Sequence, residues 1–241
     1  MEFHIPCDPQ QISRYVFCPG SHRRASRIAE KLENMVTVVE NRGYNVYSGT
    51  HEGIFMTVCG TGMGGPAVGI ALEELAHMGA DTFIRVGSCG VYQHYQKPGD
   101  VIVATGTVRE GGTGFAYLPP NFPAVPSYPV LSALVHSAER LGTPVTIGLG
   151  VTKDAFYGPQ DPEMKTLYQK AGLVFVEMEC DTLFILGQYH GWRTGAILTA
   201  DSPTDEIKPA WGKDDFARGE NQAIAIALAG MKKLAICDTA Q

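Results

Sequence analysis

The amino-acid sequence predicts an α/β protein with a central, twisted, mixed and largely parallel sheet flanked by helices on both faces. Two observations support this class: short β-rich runs alternate with helical patterns almost from end to end, and no Pro/Ser-rich linker divides the 241 residues. Parallel strands need crossover helices, which this alternation supplies. We therefore expect residues 1–241 to form one domain, with ligands bound where strand ends run into glycine-rich loops.

Eight strands are expected where β-branched and aromatic residues cluster in short runs bounded by turn residues. In chain order they are Tyr15 to Cys18, Asn45 to Gly49, Phe55 to Cys59, Thr82 to Val86, Val101 to Ala104, Val145 to Val151, Val174 to Glu177 and Thr194 to Ala200. Together with the helices between them, these strands build βαβ units.

Six helices are expected from apolar residues that recur at helical spacing. They are Arg23 to Lys31, Pro66 to Met78, Pro129 to Leu141, Glu163 to Ala171, Asp181 to His190 and Ala217 to Leu234. In the second of them Val68, Leu72 and Leu75 share one face and leave Glu74 to the other. The longest segment without periodicity, Arg109 to Tyr128, predicts a functional or interfacial loop.

Composition limits the function classes. A hydrophobic fraction of 44% against 18% charged residues can fill a core, and a net charge of -6 gives no general attraction for nucleic acid or anionic lipid. An anionic ligand must then be held by a local cluster of basic residues. The chain has no apolar run long enough for a membrane span and no secretory signal at Met1 to Cys7, and its six cysteines lack any paired spacing. We expect a cytoplasmic protein with reduced thiols and a small-molecule partner.

Three glycine-containing strand ends, at residues 18–24, 60–66 and 85–90, indicate an anion site. Glycine lets backbone N–H groups approach an anion, and a helix N-terminus adds partial positive charge. Arg24 and Arg85 add planar forks that suit phosphate. The alternatives are an ordinary tight turn and, for Arg24, a solvated residue. Arg85 lies in an apolar strand and needs an anionic partner, which is either a protein carboxylate or a bound phosphate.

Two further stretches carry acidic or hydroxyl side chains at strand ends. Glu177 and Glu179 would point to one side of their strand and suit the vicinal hydroxyls of a ribose. The alternative is a surface pair or an ion-pair partner for Arg85. Asp201 or Ser202, in the polar turn after a buried strand, would face a leaving base and relay a proton to it. The alternative there is a plain turn or capping signal.

With these stretches the chain resembles the hexameric branch of the nucleoside phosphorylases, the group that contains bacterial uridine phosphorylase and bacterial-type purine nucleoside phosphorylase. The resemblance covers roughly Glu2 to Leu234, and the order and spacing of six stretches carry it: His4-Ile5, Pro19-Gly20 with Arg24, and residues 62–66, 85–90, 154–157 and 176–179. It implies reversible, phosphate-dependent cleavage of an N-glycosidic bond to free base and ribose 1-phosphate. It implies no metal and no cofactor. Inorganic phosphate takes part as a co-substrate.

The resemblance also implies roles for individual residues. Phosphate would be held by Gly20, Arg24, Arg85 and Ser88, with Arg42 from the adjacent subunit. Ribose would be held by Met178 and Glu179, with His4 from the neighbour. The base would meet Cys89, Gly90, Phe156, Gln160 and Glu177. The candidate catalytic residues are Arg85 with Asp201 or Ser202. Because two of these residues cross between subunits, the implied assembly is a homo-oligomer with sites shared within a dimer, in the form of a hexamer built as a trimer of dimers.

The sequence departs from the family pattern where the base is selected. Purine enzymes commonly place an Asp in the loop after the strand ending at Ala200; an ungapped alignment puts Ser202 there and a one-residue gap restores Asp201. Uridine phosphorylases read uracil with a Gln and an Arg; Gln160 is retained, but Pro162 stands in place of the Arg. The resemblance leans towards uridine, with a purine nucleoside as the alternative. A hydrolytic nucleosidase and a non-catalytic nucleoside-binding protein are further alternatives.

Overall fold

The computed structural model describes residues 2–159, 161–203 and 213–240. Its strands are β1 Tyr15–Phe17, β2 Glu33–Asn41, β3 Tyr44–His51, β4 Ile54–Gly60, β5 Thr82–Val91, β6 Val101–Glu110, β7 Val145–Lys153, β8 Phe175–Glu177 and β9 Arg193–Pro203. Its helices are α1 His22–Ala29, α2 Gly65–His77, α3 Tyr128–Arg140, α4 Pro162–Lys170, α5 Cys180–His190 and α6 Lys213–Thr239. The predicted α/β class is confirmed.

The strands form one mixed sheet in the order β2-β3-β4-β1-β5-β8-β7-β6-β9. Parallel pairs join β1 to β4 and β5, β9 to β5, and β7 to β6 and β8. Because β9 also pairs with β5, the second part of the sheet closes into a ring of five strands. The mixed sheet was expected from the sequence, whereas this closure was not.

Helices cover both faces of the sheet and bury two large apolar clusters, and a small third cluster includes Tyr168 of α4. One cluster joins α2 and α5 to strand residues such as Phe83, and the other joins α1, α3 and α6 to residues such as Ile84. Successive strand residues point to opposite faces, so neighbouring positions of β5 supply the two clusters in turn. This double burial explains why the central strands have nearly continuous apolar sequences.

Strand β2 is the element that the sequence analysis missed. Most of its residues are exposed, and its pairing with β3 contains two register irregularities, so it lacks the alternation that indicates a half-buried strand. The predicted Arg109 to Tyr128 loop is also shorter than expected: β6 continues to Glu110, a 3-10 turn follows at Thr113–Ala116, and α3 begins at Tyr128.

Two further features concern membrane-spanning helices and the cysteines. Among the described residues, no helix combines the length and the apolar character needed to cross a membrane. None of the six cysteines forms a disulfide, and all except Cys237 are buried.

Candidate active site

A gap in the pairing of β5 defines the centre of the site. One edge of β5 pairs with β1 as far as Ile84 and with β8 only at Gly90. Backbone groups of alternate residues face the same edge, so Val86 and Ser88 present theirs where β1 has ended and β8 has not begun. The sheet therefore changes partners here, at the kind of switch point where α/β proteins bind ligands.

Arg85 lies on β5 at this gap and is held by two carboxylates. Its Nε lies 3.0 Å from Glu177 Oε2, and its Nη2 lies 2.5 Å from Glu179 Oε2. Both carboxylates are buried with it, so Glu177, at the end of β8, and Glu179, just before α5, both face Arg85 as predicted. Burial lowers the pKa of Arg85, but the charges of Glu179 and Glu177 outweigh that effect and raise it, which keeps the guanidinium charged.

Protein groups donate hydrogen bonds to both carboxylate oxygens of Glu177. Besides Arg85, it accepts a hydrogen bond from Thr152 Oγ1 at 2.6 Å and others from the backbone N–H groups of Glu179, at 2.8 Å, and Cys180, at 3.0 Å. These two N–H groups lie at the start of α5, where a carboxylate is favourable. Glu177 is thus an ion-pair partner of Arg85, which was the alternative interpretation. These contacts argue against the expected contact between Glu177 and a base.

Glu179 connects Arg85 to the second glycine-rich loop. Its Oε1 accepts a hydrogen bond from the backbone N–H of Gly64 at 2.6 Å. Gly64 precedes α2 with φ of 91°, a conformation that strongly favours glycine. This loop therefore adjoins the candidate ribose residue, and through Gly62, whose carbonyl lies 3.0 Å from the position of a Cβ added to Gly20, it also adjoins the candidate phosphate residues. Burial, opposed by the Arg85 charge, raises the pKa of Glu179.

Arg24 is buried, so the alternative that it is a solvated residue is wrong. It lies in the first turn of α1, and its Nη1 donates to the Val86 carbonyl, in the β5 gap, at 3.2 Å. Its Nε donates to Glu220 Oε1, on α6, at 2.6 Å. Burial lowers the pKa of Arg24, Glu220 opposes that effect, and the nearby positive charge of Arg85 adds to it. Arg24 thus contacts the residue that follows Arg85 on β5.

A cavity of about 560 Å³ opens beside this arginine pair. Its wall includes Arg24, Ser88 and Asp201, and its full lining contains four basic and three acidic side chains: Arg23, Arg24, Arg27 and Lys213 against Asp201, Asp214 and Glu220. This positive excess in a chain of net charge -6 suits an anion. Arg85 lies behind the wall, with its Nη1 3.6 Å from the position of a Cβ added to Gly20.

Of the two candidate proton donors, Asp201 lines the cavity. Ser202 is buried, and its Oγ donates to Asp201 Oδ1 at 2.9 Å. The two residues therefore form one unit, in which the carboxylate faces the cavity and the hydroxyl supports it.

Arg42 and His4 lie together on another surface. Arg42 occupies the exposed turn between β2 and β3, with its guanidinium 5.0 Å from the Phe3 ring centre. His4 Nδ1 lies 2.6 Å from Glu74 Oε1, on α2. Glu74 is nine residues beyond Gly65, where α2 begins beside Glu179, a rise of about 14 Å along a helix. His4 is thus held far from the ribose candidates of its own chain.

The remaining predicted residues surround the strand ends. Met178 is half-buried between Glu177 and Glu179, and Cys89 is buried on β5. Gly90 pairs with Val176. Phe156 is half-exposed after β7, with its ring edge-on to Tyr157 at 4.9 Å. Gln160 lies outside the described residues.

Three residues of the site were not found from the sequence: Thr152, Gly64 as a hydrogen-bond donor, and Glu220. Glu220 is separated from Arg24 by 196 positions, and a single sequence contains no signal for such a contact. Within residues 2–159, 161–203 and 213–240, no group of three or more His, Cys, Asp or Glu side chains is arranged to hold a metal ion.

Comparison with known proteins places the chain among enzymes. Residues 14–232 match the Phosphorylase superfamily. The chain is 35% identical to guanosine phosphorylase from Halorubrum lacusprofundi, with 89% of this chain and 93% of that protein covered. It is also 35% identical to uridine phosphorylase from Thermococcus kodakarensis, with 99% and 88% covered. A crystal structure of uridine phosphorylase from Vibrio fischeri superposes with a TM-score of 0.90 at 33% identity, covering 95% of this chain and 96% of that one.

Proposed function

Because the chain belongs to the phosphorylase superfamily, we propose that it is a nucleoside phosphorylase that transfers the pentosyl group of a ribonucleoside to inorganic phosphate. One observation carries the proposal: Arg24, Ser88 and Asp201 line one cavity at the open edge of β5, with Arg85 behind it. Such a site combines donors for an anion with a carboxylate for the leaving group. The products are the free base and ribose 1-phosphate.

Phosphate is held at the β5 gap in this proposal. Arg24 and Arg85 supply charged donors, the Ser88 hydroxyl adds another, and the Gly20 backbone allows close approach. Cleavage of the glycosidic bond builds positive charge on the ribose ring, so an oxyanion fixed beneath the sugar stabilises the transition state. Arg85 keeps its charge because Glu177 and Glu179 hold it.

Ribose is held by Glu179 and Met178. An ionised carboxylate has about four acceptor positions. Glu179 uses two of them for Arg85 and Gly64, which leaves acceptors for the 2′- and 3′-hydroxyls. The same side chain thus links the sugar to the phosphate arginine, and Met178 supplies an apolar contact between the two glutamates.

Asp201 assists the departing base. Cleavage leaves negative charge on the base, and the side chain of Asp201 in the cavity wall relays a proton to it. Ser202 positions this carboxyl through its hydrogen bond. Phe156, Cys89 and Gly90 are the proposed base contacts, together with Gln160.

Uridine is the favoured substrate, and a purine nucleoside is the second candidate. The uridine phosphorylases of Thermococcus kodakarensis and Treponema pallidum are each 35% identical over 99% of this chain. The second candidate has a specific observation of its own: Asp201 lines the cavity where purine enzymes commonly place an Asp, and guanosine phosphorylase is equally similar in identity.

The proposed active unit is a dimer with shared sites, within a hexamer. His4 is tied to Glu74 and Arg42 lies over Phe3, which supports a role for both residues in the site of a neighbouring subunit. We further propose a cytoplasmic location and activity without cofactor or metal, with phosphate as co-substrate.

A substrate panel tests the proposal. Purified protein is incubated with uridine, thymidine, inosine, guanosine or adenosine, with and without phosphate, and base release is measured. We expect release from uridine that depends on phosphate. Equal turnover without phosphate would support a hydrolytic nucleosidase, and tight binding without cleavage would support a nucleoside-binding protein.

A further inference from the structure

Glu220 is a buried carboxylate of α6 that contacts two arginines of α1. Its Oε1 accepts from Arg24 Nε at 2.6 Å, and its Oε2 accepts from Arg27 Nη1. The side chains of Arg24 and Glu220 are each only 6% exposed, while that of Arg27 is one-third exposed. Because a buried charge is costly without a partner, Arg24 depends on this contact.

Two of the three nitrogens of the Arg24 guanidinium are therefore anchored. Nε is held by Glu220, and Nη1 is held by the Val86 carbonyl at 3.2 Å. A guanidinium is planar, so these two anchors also set the direction of Nη2. Among the described residues, Nη2 has no hydrogen-bond acceptor, and Arg24 lines the cavity beside Ser88.

The charge balance of this cluster still favours an anion. The single negative charge of Glu220 is shared by Arg24 and Arg27, so the three side chains retain a net positive charge. Repulsion between Glu220 and a bound anion is thereby offset by Arg27. What remains is the geometric effect of Glu220, which keeps a long and otherwise flexible side chain in one orientation.

We propose that Glu220 is a positioning residue for phosphate: it clamps the Nε edge of Arg24 so that Nη2 is aimed at the anion in the β5 gap. Arg27 completes the clamp by neutralising the second oxygen of Glu220. This inference rests on the proposed function, since it assigns α6 a part in binding the co-substrate. It predicts a defect confined to phosphate, with the nucleoside side of the site unchanged.

The test uses Glu220→Gln, which keeps the shape and one acceptor oxygen but loses the charge, and Glu220→Ala, which loses both. We expect the KM for phosphate to rise about 10- to 100-fold in the alanine variant and by less in the glutamine variant, as for a lost hydrogen bond to a charged group. The KM for nucleoside should stay within about twofold, since no clamp residue touches Glu179. Calorimetry with inorganic phosphate alone should show the same weakening.

Asp215→Asn is the matched control, because it removes a carboxylate of the same helix whose one ion pair within the described residues is with Arg218. It should leave both KM values unchanged. If the alanine variant fails to fold, the glutamine variant decides alone. An unchanged phosphate KM in the glutamine variant, or an equal rise in both KM values, would overturn the role of Glu220. Absence of phosphate-dependent cleavage in the unaltered protein would instead overturn the proposed function.

Discussion

Glu177 accepts a hydrogen bond from Arg85 at 3.0 Å, and the two side chains are only 1% and 4% exposed. Burying such a pair costs free energy of desolvation. Removing one partner costs more free energy of folding, because it leaves a buried charge without full compensation. Here the same carboxylate also binds the start of α5 and Thr152. Arg85 is therefore held by an acceptor that belongs to the framework of the fold.

Replacement of Glu177 should consequently affect stability. We expect Glu177→Ala to lower the free energy of unfolding by about 3–5 kcal/mol, the range for a broken buried ion pair. Urea denaturation followed by circular dichroism measures this change. Glu139→Ala, at an exposed position of α3, is the control and should change the free energy by less than about 0.5 kcal/mol. A similar small effect in both variants would contradict the framework role.

Gly64 should be needed for nucleoside binding. A side chain at φ of 91° is strained by about 1–3 kcal/mol, and relief of that strain would move the N–H group that holds Glu179. We expect Gly64→Ala to raise the KM for nucleoside about tenfold. Gly79→Ala is the matched control, since Gly79 has φ of 102° and open space around it, beyond the other end of α2. Equal KM changes in both variants would point to general strain.

Asp181 should make stability depend on pH. It is fully buried in the first turn of α5, and its Oδ2 has no hydrogen-bond partner among the described residues. Burial, and after it the charge of Glu177, raise the pKa of Asp181 from 3.8 to about 6. The folded state therefore holds the proton more tightly than the unfolded chain, so this group stabilises below about pH 4 and loses that contribution as pH rises to about 6.

The corresponding experiment compares the protein with Asp181→Asn by urea unfolding from pH 4 to 7. Relative to the asparagine variant, the protein should lose up to about 3 kcal/mol of unfolding free energy across this range. Asp215→Asn, which removes a half-exposed carboxylate, should show no such trend. A difference between protein and Asp181→Asn that stays constant with pH would rule out the titration of Asp181.

Shared sites predict complementation between inactive variants. Arg85→Ala removes a charge from its own site, and Arg42→Ala removes one from the neighbouring site, so each should lose most activity alone. A mixed dimer contains one doubly altered and one intact site. After subunit exchange of an equal mixture, we expect about one quarter of the unaltered activity. No recovery, with exchange verified by mass spectrometry, would show that Arg42 serves its own chain.

The sequence predicted the class of fold and the residues around Arg85 because these depend on local patterns. Glycine at strand ends and an arginine within an apolar strand are visible in one stretch of chain. For Arg85 the sequence left two partners open, and the structure supplies the carboxylates of Glu177 and Glu179. Strand alternation predicted both on one side; in the structure β8 ends at Glu177, and Glu179 reaches Arg85 from the start of α5.

What the sequence left out depends on distant contacts. Closure of the sheet follows from pairing between β5 and β9, more than 100 residues apart. The contact between Glu220 and Arg24 spans 196 positions. Strand β2 is exposed over most of its length, so its hydrogen bonds to β3 stabilise it without leaving an apolar pattern. Each of these features depends on contacts between separate segments of the chain, which a local sequence pattern does not contain.

The interrupted edge of β5 places anion binding and base recognition, as we propose them, in different parts of the site. In our proposal, main-chain groups of Val86 and Ser88 form the floor of the anion site, and altering a side chain elsewhere does not remove them. Phe156, after β7, and Asp201, near the end of β9, face the base in our proposal. On this proposal, a change of nucleobase preference requires substitutions only in those two segments, while the residues that hold the sugar and the anion stay the same.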